Sequence, residues 1–150
     1  MAVNSWADND YYVDANGIMV ANKWMQIASP YSRDSQTYWF YFGSSGKVTK
    51  DTWKKIDGKS YYFDADGIMQ TGWENVNGNW DYLNSKGAMQ TGWLLKEGKY
   101  YFLNTDGTMA YGWVNSQGSW YYFQKPDGDM LTNAYAPDGR YVNAEGVLIQ

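Results

Sequence analysis

The chain has 150 residues, no cysteine and no histidine, a net charge of -4 and a pI near 4.6. An acidic balance repels a phosphate backbone, so nucleic acid is not an expected partner, and without Cys or His there is no disulfide framework, no thiolate or imidazole metal site and no imidazole base. Aromatic residues make up 19% of the sequence, with 9 Trp and 15 Tyr, which exceeds what a generic core requires. No apolar run approaches the ~20 residues of a membrane span, and the opening Met1-Ala2-Val3-Asn4 lacks the basic, then apolar, start of a secretory signal, so the expectation is a mature protein or a fragment of one.

In chain order, Trp6 falls out of phase with everything that follows and reads as a cap over the first repeat. Tyr11-Tyr12-Val13, with Gly17 and Met19, predicts a second strand and its link. Trp24 and Trp39 lie fifteen residues apart, so residues 25–38 predict a hairpin with a long loop, and residues 1–52 as a whole read as degenerate repeats. From Trp53 the pattern becomes regular: Trp53, Trp73, Trp93 and Trp113 recur every twenty residues, as do Gly58, Gly78, Gly98 and Gly118. Each of these repeats predicts a β-hairpin with a two-residue turn. Asn77-Gly78 and Asp57-Gly58 supply the strongest turn signals, Glu97-Gly98 and Gln117-Gly118 weaker ones. A further glycine follows each hairpin, at Gly67, Gly87, Gly107 and Gly128, and closes the link to the next repeat. Met69, Met89, Met109 and Met130 follow in the links, the last one residue late, and read as apolar filler, with lining a ligand box as the alternative. Residues 131–150 form a degenerate last repeat with Ala134 in the tryptophan position. A lone hairpin is marginal in water, so the six or seven repeats must stack, and the expected fold is an all-β solenoid of hairpins making one domain over residues 1–150.

A two-residue turn at Asn77-Gly78 sets Trp73 opposite Tyr82 and Asn75 opposite Trp80, so alternation puts Trp73 and Trp80 on one face as diagonal neighbours. The next position along points to the other face and is Tyr61, Asp81, Tyr101 and Tyr121 in successive repeats. In a stack this supplies a third wall to the two-aromatic face of the preceding repeat. Three electron-rich walls without a fixed anion suit a bulky, weakly hydrated cation such as a quaternary ammonium group. At about 2 kcal/mol per desolvated wall, less the cost of association, one such box binds in the range of about several millimolar to tens of micromolar. Several boxes facing a repetitive polymer gain by effective concentration. The plainer alternative for these tryptophans is strand-gluing and core filling.

The run TGW, a seven-residue step to a second aromatic, YYF and then GxM, as in TGWLLKEGKYYFLNTDGTM and YGWVNSQGSWYYFQKPDGDM, resembles the choline-binding repeat of pneumococcal surface proteins and phage lysins. The resemblance covers residues 53–130 closely and the flanks loosely. It implies a left-handed β-solenoid that binds choline or phosphocholine on teichoic and lipoteichoic acids. The protein would then be secreted and held non-covalently at the bacterial surface, with no metal or cofactor and with homodimerisation through terminal repeats as an option. Carried over residue by residue, it assigns boxes to Trp73, Trp80 and Tyr101; to Trp93, Tyr100 and Tyr121; and to Trp24, Trp39 and Tyr61, the last depending on how the long loop closes. Trp113 and Trp120 form a weaker candidate, because the third position falls on Val142, leaving two walls unless Tyr135 or Tyr141 swings in. The junction after Trp53 has Ser60 and Asp81 at the second and third walls and is expected to be empty or unusual.

Glucan-binding repeats string similar hairpins together but usually lack the second-wall tryptophan, so Trp80 and Trp120 discriminate against them. Catalysis is not expected: the acidic residues are mostly turn and link residues, and a glycosidase needs two carboxylates held across a cleft.

Overall fold

A computed structural model describes residues 2–149 and contains fifteen β-strands and no α-helix among them. The strands are β1 (Ser5–Ala7), β2 (Tyr11–Val13), β3 (Lys23–Ala28), β4 (Thr37–Phe42), β5 (Thr52–Ile56), β6 (Lys59–Phe63), β7 (Gly72–Val76), β8 (Asn79–Leu83), β9 (Gly92–Lys96), β10 (Lys99–Leu103), β11 (Gly112–Ser116), β12 (Ser119–Phe123), β13 (Ala134–Tyr135), β14 (Tyr141–Val142) and β15 (Leu148–Ile149). They pair as six antiparallel hairpins in chain order and one terminal three-stranded sheet, β13-β14-β15.

The turns explain the register. Asp57, Asn77, Glu97 and Gln117 have φ of 51, 55, 51 and 51°, each followed by a glycine at φ of 81 to 89°. Positive φ at both central residues is the hairpin turn whose twist matches the flanking strands. Glu97 and Gln117 adopt it despite weak intrinsic preference, because the strands on both sides fix the register, with Trp93 opposite Phe102 and Trp113 opposite Tyr122. The seven-residue step between aromatics therefore becomes a fixed cross-strand diagonal, Asn115 pairing with Trp120 and Leu95 with Tyr100.

The link is more ordered than a plain turn. In each regular repeat it folds back on its own hairpin, as in the bridges of Phe63 with Met69, Leu103 with Met109 and Phe123 with Met130. An Asx turn shapes it: Asn84 Oδ1 accepts from the backbone N–H of Lys86 at 2.9 Å and of Ala88 at 3.0 Å, and Asn143 Oδ1 treats Glu145 and Val147 in the same way. The glycine is required here because its φ is positive and because a methionine side chain packs directly on it.

The described residues group into two compact units, 2–72 with 83–88, and 73–82 with 89–149. In the first, Phe40, Phe42, Tyr12, Val20 and Val48 form a buried cluster. Trp6 packs its ring on Tyr12, Phe40 and Phe42 at 5.6, 5.0 and 5.5 Å and donates its indole N–H to Ala28 O at 2.9 Å, so it belongs to this cluster from strand β1. The long loop is shorter than its sequence suggested: β3 and β4 pair as far as Ala28 and Thr37, leaving only residues 29–36 between them. That extended pairing puts Gln26 opposite Trp39 and Trp24 opposite Tyr41, which restores the diagonal aromatic pair of the regular repeats. In the second unit Leu103, Phe123 and Val142 are fully or almost fully buried, one apolar residue per repeat at the same place in the second strand.

Candidate functional site

Stacking sets the walls through one recurrent backbone bond. The link methionine of each following repeat donates its N–H to the carbonyl of the second-wall aromatic: Met69 to Trp39 at 3.0 Å, Met109 to Trp80 at 2.7 Å and Met130 to Tyr100 at 2.8 Å. The same step brings the third-wall tyrosine against the first-wall tryptophan.

Three boxes result. In the first compact unit Trp24 meets Tyr61 at 4.9 Å and Trp39 at 6.2 Å between ring centroids, both nearly edge-to-face, around a cavity of about 350 Å³ also lined by Met69, Ser85 and Lys86. In the second unit Trp73 meets Tyr101 at 5.1 Å, and with Trp80, Met109, Pro126 and Asp127 they line a cavity of about 360 Å³. Also in the second unit, Trp93 meets Tyr121 at 4.7 Å and Tyr100 at 6.1 Å, opening on a cavity of about 560 Å³ whose lining includes Met130, Thr132 and Glu145. The three third-wall tyrosines are half-buried and fixed, whereas the second walls Trp39, Trp80 and Tyr100 remain 41, 38 and 44% exposed. Large apolar rings left in water on one side are a standing cost that a ligand can relieve.

Trp113 and Trp120 are arranged differently. Trp113 lies against Tyr122 at 5.1 Å and donates its indole N–H to Asp138 Oδ2 at 2.8 Å, a bond that holds the Asp138 carboxyl below its usual range. Trp120 is exposed on the diagonal strand, and Val142, at the third-wall position, is completely buried. Tyr135 and Tyr141 meet edge-to-face at 4.9 Å and share a separate cavity with Arg140, Leu148 and Ile149. In the first unit, Trp53 packs on Tyr62 at 5.1 Å. In the second, Asp81 replaces the third-wall tyrosine; it is only 4% exposed, and burial, with the charge of Asp106 adding to it, pushes its carboxyl up to about 6.

Each box has a fourth wall, of which the sequence offers the link methionine, as the alternative to apolar filler, but not the residues beside it. It consists of the link methionine and of the residues just before the next link's glycine: Ser85-Lys86, Pro126-Asp127 and Ala144-Glu145. The periodic methionine was the available signal. The pre-glycine position carries none, because its residue type changes from box to box.

A family profile described as a choline-binding repeat matches residues 48–74, 70–106 and 96–135, and a second with the same description matches residues 1–27. The chain belongs to the choline-binding repeat family. Its solved relatives in that family include choline binding protein F from Streptococcus pneumoniae, 39% identical over 93% of this chain and 44% of that one, with a TM-score of 0.78. A structure of choline binding protein F in complex with ipratropium gives 39% identity, 93% and 42% coverage and a TM-score of 0.79. The modular autolysin LytC of Streptococcus pneumoniae is 32% identical over 99% of this chain and 32% of its own, with a TM-score of 0.77. Comparison with curated proteins gives no significant match. The chain thus spans less than half the length of these choline-binding relatives.

Proposed function

We propose that the chain binds choline and phosphocholine groups of teichoic and lipoteichoic acids in its aromatic boxes, without catalysis, and so attaches the protein it belongs to at the bacterial surface. The observation that carries this is the threefold recurrence of one construction, a first-wall tryptophan within 4.7 to 5.1 Å of the next repeat's tyrosine with an exposed aromatic on its diagonal. A trimethylammonium group has no N–H to donate, so it gains nothing from hydrogen-bond acceptors. It gains from ring quadrupoles and from burying its methyl groups, and the boxes supply both. Core packing alone does not call for the second-wall aromatics, which point into solvent.

Titration of the intrinsic tryptophan fluorescence with choline tests this. A saturable change is expected in the millimolar range or tighter, with none from glucose oligomers or potassium chloride at equal concentration. Trp80→Ala should remove one binding event and leave the others, since it deletes one wall of the Trp73/Tyr101 box only. A folded wild type that ignores choline, or a Trp80→Ala variant with an unaltered binding curve and stoichiometry, would overturn the assignment.

A further inference from the structure

The three boxes share their aromatic walls but differ in charge at the mouth, and the difference falls at one repeated position. The residue immediately before the link glycine is Lys86 at the Trp24/Trp39/Tyr61 box, Asp127 at the Trp73/Trp80/Tyr101 box and Glu145 at the Trp93/Tyr100/Tyr121 box. Each is exposed, and each precedes a buried glycine with φ between 81 and 84°. The backbone N–H groups of Lys86 and Glu145 are held by the Asx turns of Asn84 and Asn143.

The ion pairs of Lys50 with Asp10 and of Arg140 with Asp138 lie outside the linings of the three boxes. The cation next in sequence to the second box, Lys125, has its ammonium over the Tyr111 ring, 5.8 Å from the centroid. The first box is therefore the one whose lining includes a lysine, and the other two linings each include a carboxylate.

We infer that the residue before the link glycine sets each box's preference between a bare quaternary ammonium and one carrying a phosphate, with Lys86 making the first box selective for phosphocholine and Asp127 and Glu145 making the other two selective for choline without phosphate. The inference rests on the choline-binding reading above. A phosphocholine ligand that places its trimethylammonium group among the rings carries its phosphate a few bonds away, at the mouth of the box. There an ammonium attracts it and a carboxylate repels it. For the ammonium end the signs reverse: Lys86 opposes a lone choline cation, whereas Asp127 and Glu145 assist it. Exposed charge pairs are weak, so the expected preference is about two- to fivefold in each direction, and it should shrink as salt rises from about 0.02 M to 1 M. On a polymer bearing phosphodiester-linked choline, such differences among linked sites fix which box engages a given residue first.

The indole N–H resonances of Trp24 and Trp39, of Trp73 and Trp80, and of Trp93 report the three boxes separately by NMR. Choline and phosphocholine are titrated into wild type, Lys86→Gln, Lys86→Glu and Asp127→Lys, which alter only exposed link residues. Wild type should show phosphocholine favoured about two- to fivefold at Trp24/Trp39 and choline favoured at the other two boxes. Lys86→Gln should bring the first ratio to about one, Lys86→Glu should reverse it, and Asp127→Lys should turn the second box towards phosphocholine. Equal ratios in all three boxes, or ratios unmoved by these substitutions while both ligands bind, would overturn the inference and leave the choline reading standing. Indoles that respond to neither ligand would sink both.

Discussion

Replacing Gly128 by alanine is expected to cost about 3 kcal/mol of stability and to weaken ligand binding at the Trp73/Trp80/Tyr101 box. Two effects add. Gly128 has φ of 81°, where an L-residue pays about 1–2 kcal/mol. An added Cβ would also collide with Met109 Sδ and lie 2.7 Å from its Cε and 2.9 Å from its Cγ, and overpacking of this kind costs about 1–3 kcal/mol. For a chain of this length the sum lowers Tm by about 6–12 °C. Gly118 separates the two terms, because it has φ of 89° but open space around its Cβ position, so Gly118→Ala should cost only the conformational part. The functional consequence follows from where Met109 lies: its other side lines the box, so displacing it from the glycine narrows the cavity. A Met109→Ala change should recover part of the loss when made in the Gly128→Ala background. Thermal unfolding of wild type, Gly128→Ala, Gly118→Ala, Met109→Ala and the Gly128→Ala/Met109→Ala double variant, with choline titrations of each, decides the matter; costs that simply add in the double variant, or a Gly128→Ala cost no larger than that of Gly118→Ala, would remove the collision from the explanation.

The same contact shows why part of the site was legible in the sequence and part was not. The first and second walls sit on one hairpin, and the third lies one repeat on, so period-2 alternation and the twenty-residue step suffice to bring Trp73, Trp80 and Tyr101 together. The resemblance assigns Trp24 and Trp39 to one box, but their cross-strand register depends on how far β3 and β4 extend into a segment whose Ser, Pro and Asp residues signal a loop. In the fourth wall the methionine comes from the link one hairpin further along the chain and the pre-glycine residues from the link two hairpins further. Its reach depends on how tightly successive repeats pack, which is set by buried glycines under methionines rather than by any local preference. Trp113 illustrates the opposite case: its spacing equals that of the others, yet its indole is engaged by Asp138 of the last repeat, where the tryptophan position is Ala134 and the third-wall position is the buried Val142. Periodicity places the residue, and the neighbouring repeat decides what it can do.

Asp81 carries the largest expected pH effect. It occupies the third-wall position that is tyrosine at residues 61, 101 and 121, it is 4% exposed, and its strand bridges Thr108. Burial raises its carboxyl from 3.8 to about 6, with Asp106 adding a like charge, while Asp106 itself is held low by the Thr108 hydroxyl at 2.6 Å and the Thr108 N–H at 3.0 Å. The folded protein therefore binds a proton at Asp81 more tightly than the unfolded chain does. Stability should rise as pH falls through about 6 and level off near the unfolded value of 3.8. A shift of this size corresponds to about 3 kcal/mol between the two ends of that window. Asp10, Asp106 and Asp138 act in the opposite sense: each has its carboxyl lowered by hydrogen bonds, so each gives up stability only as pH drops below 3.8. The two trends place the optimum between about 4 and 5. Asp81→Asn keeps the volume and removes the charge, so it should raise stability at pH 7.5 and flatten the profile between pH 4 and 7, as read from urea unfolding at several pH values. Wild-type stability that is level or declining from pH 7 to 5 would contradict a buried, reluctantly ionised Asp81. A steep rise that survives in Asp81→Asn would assign the proton to another group.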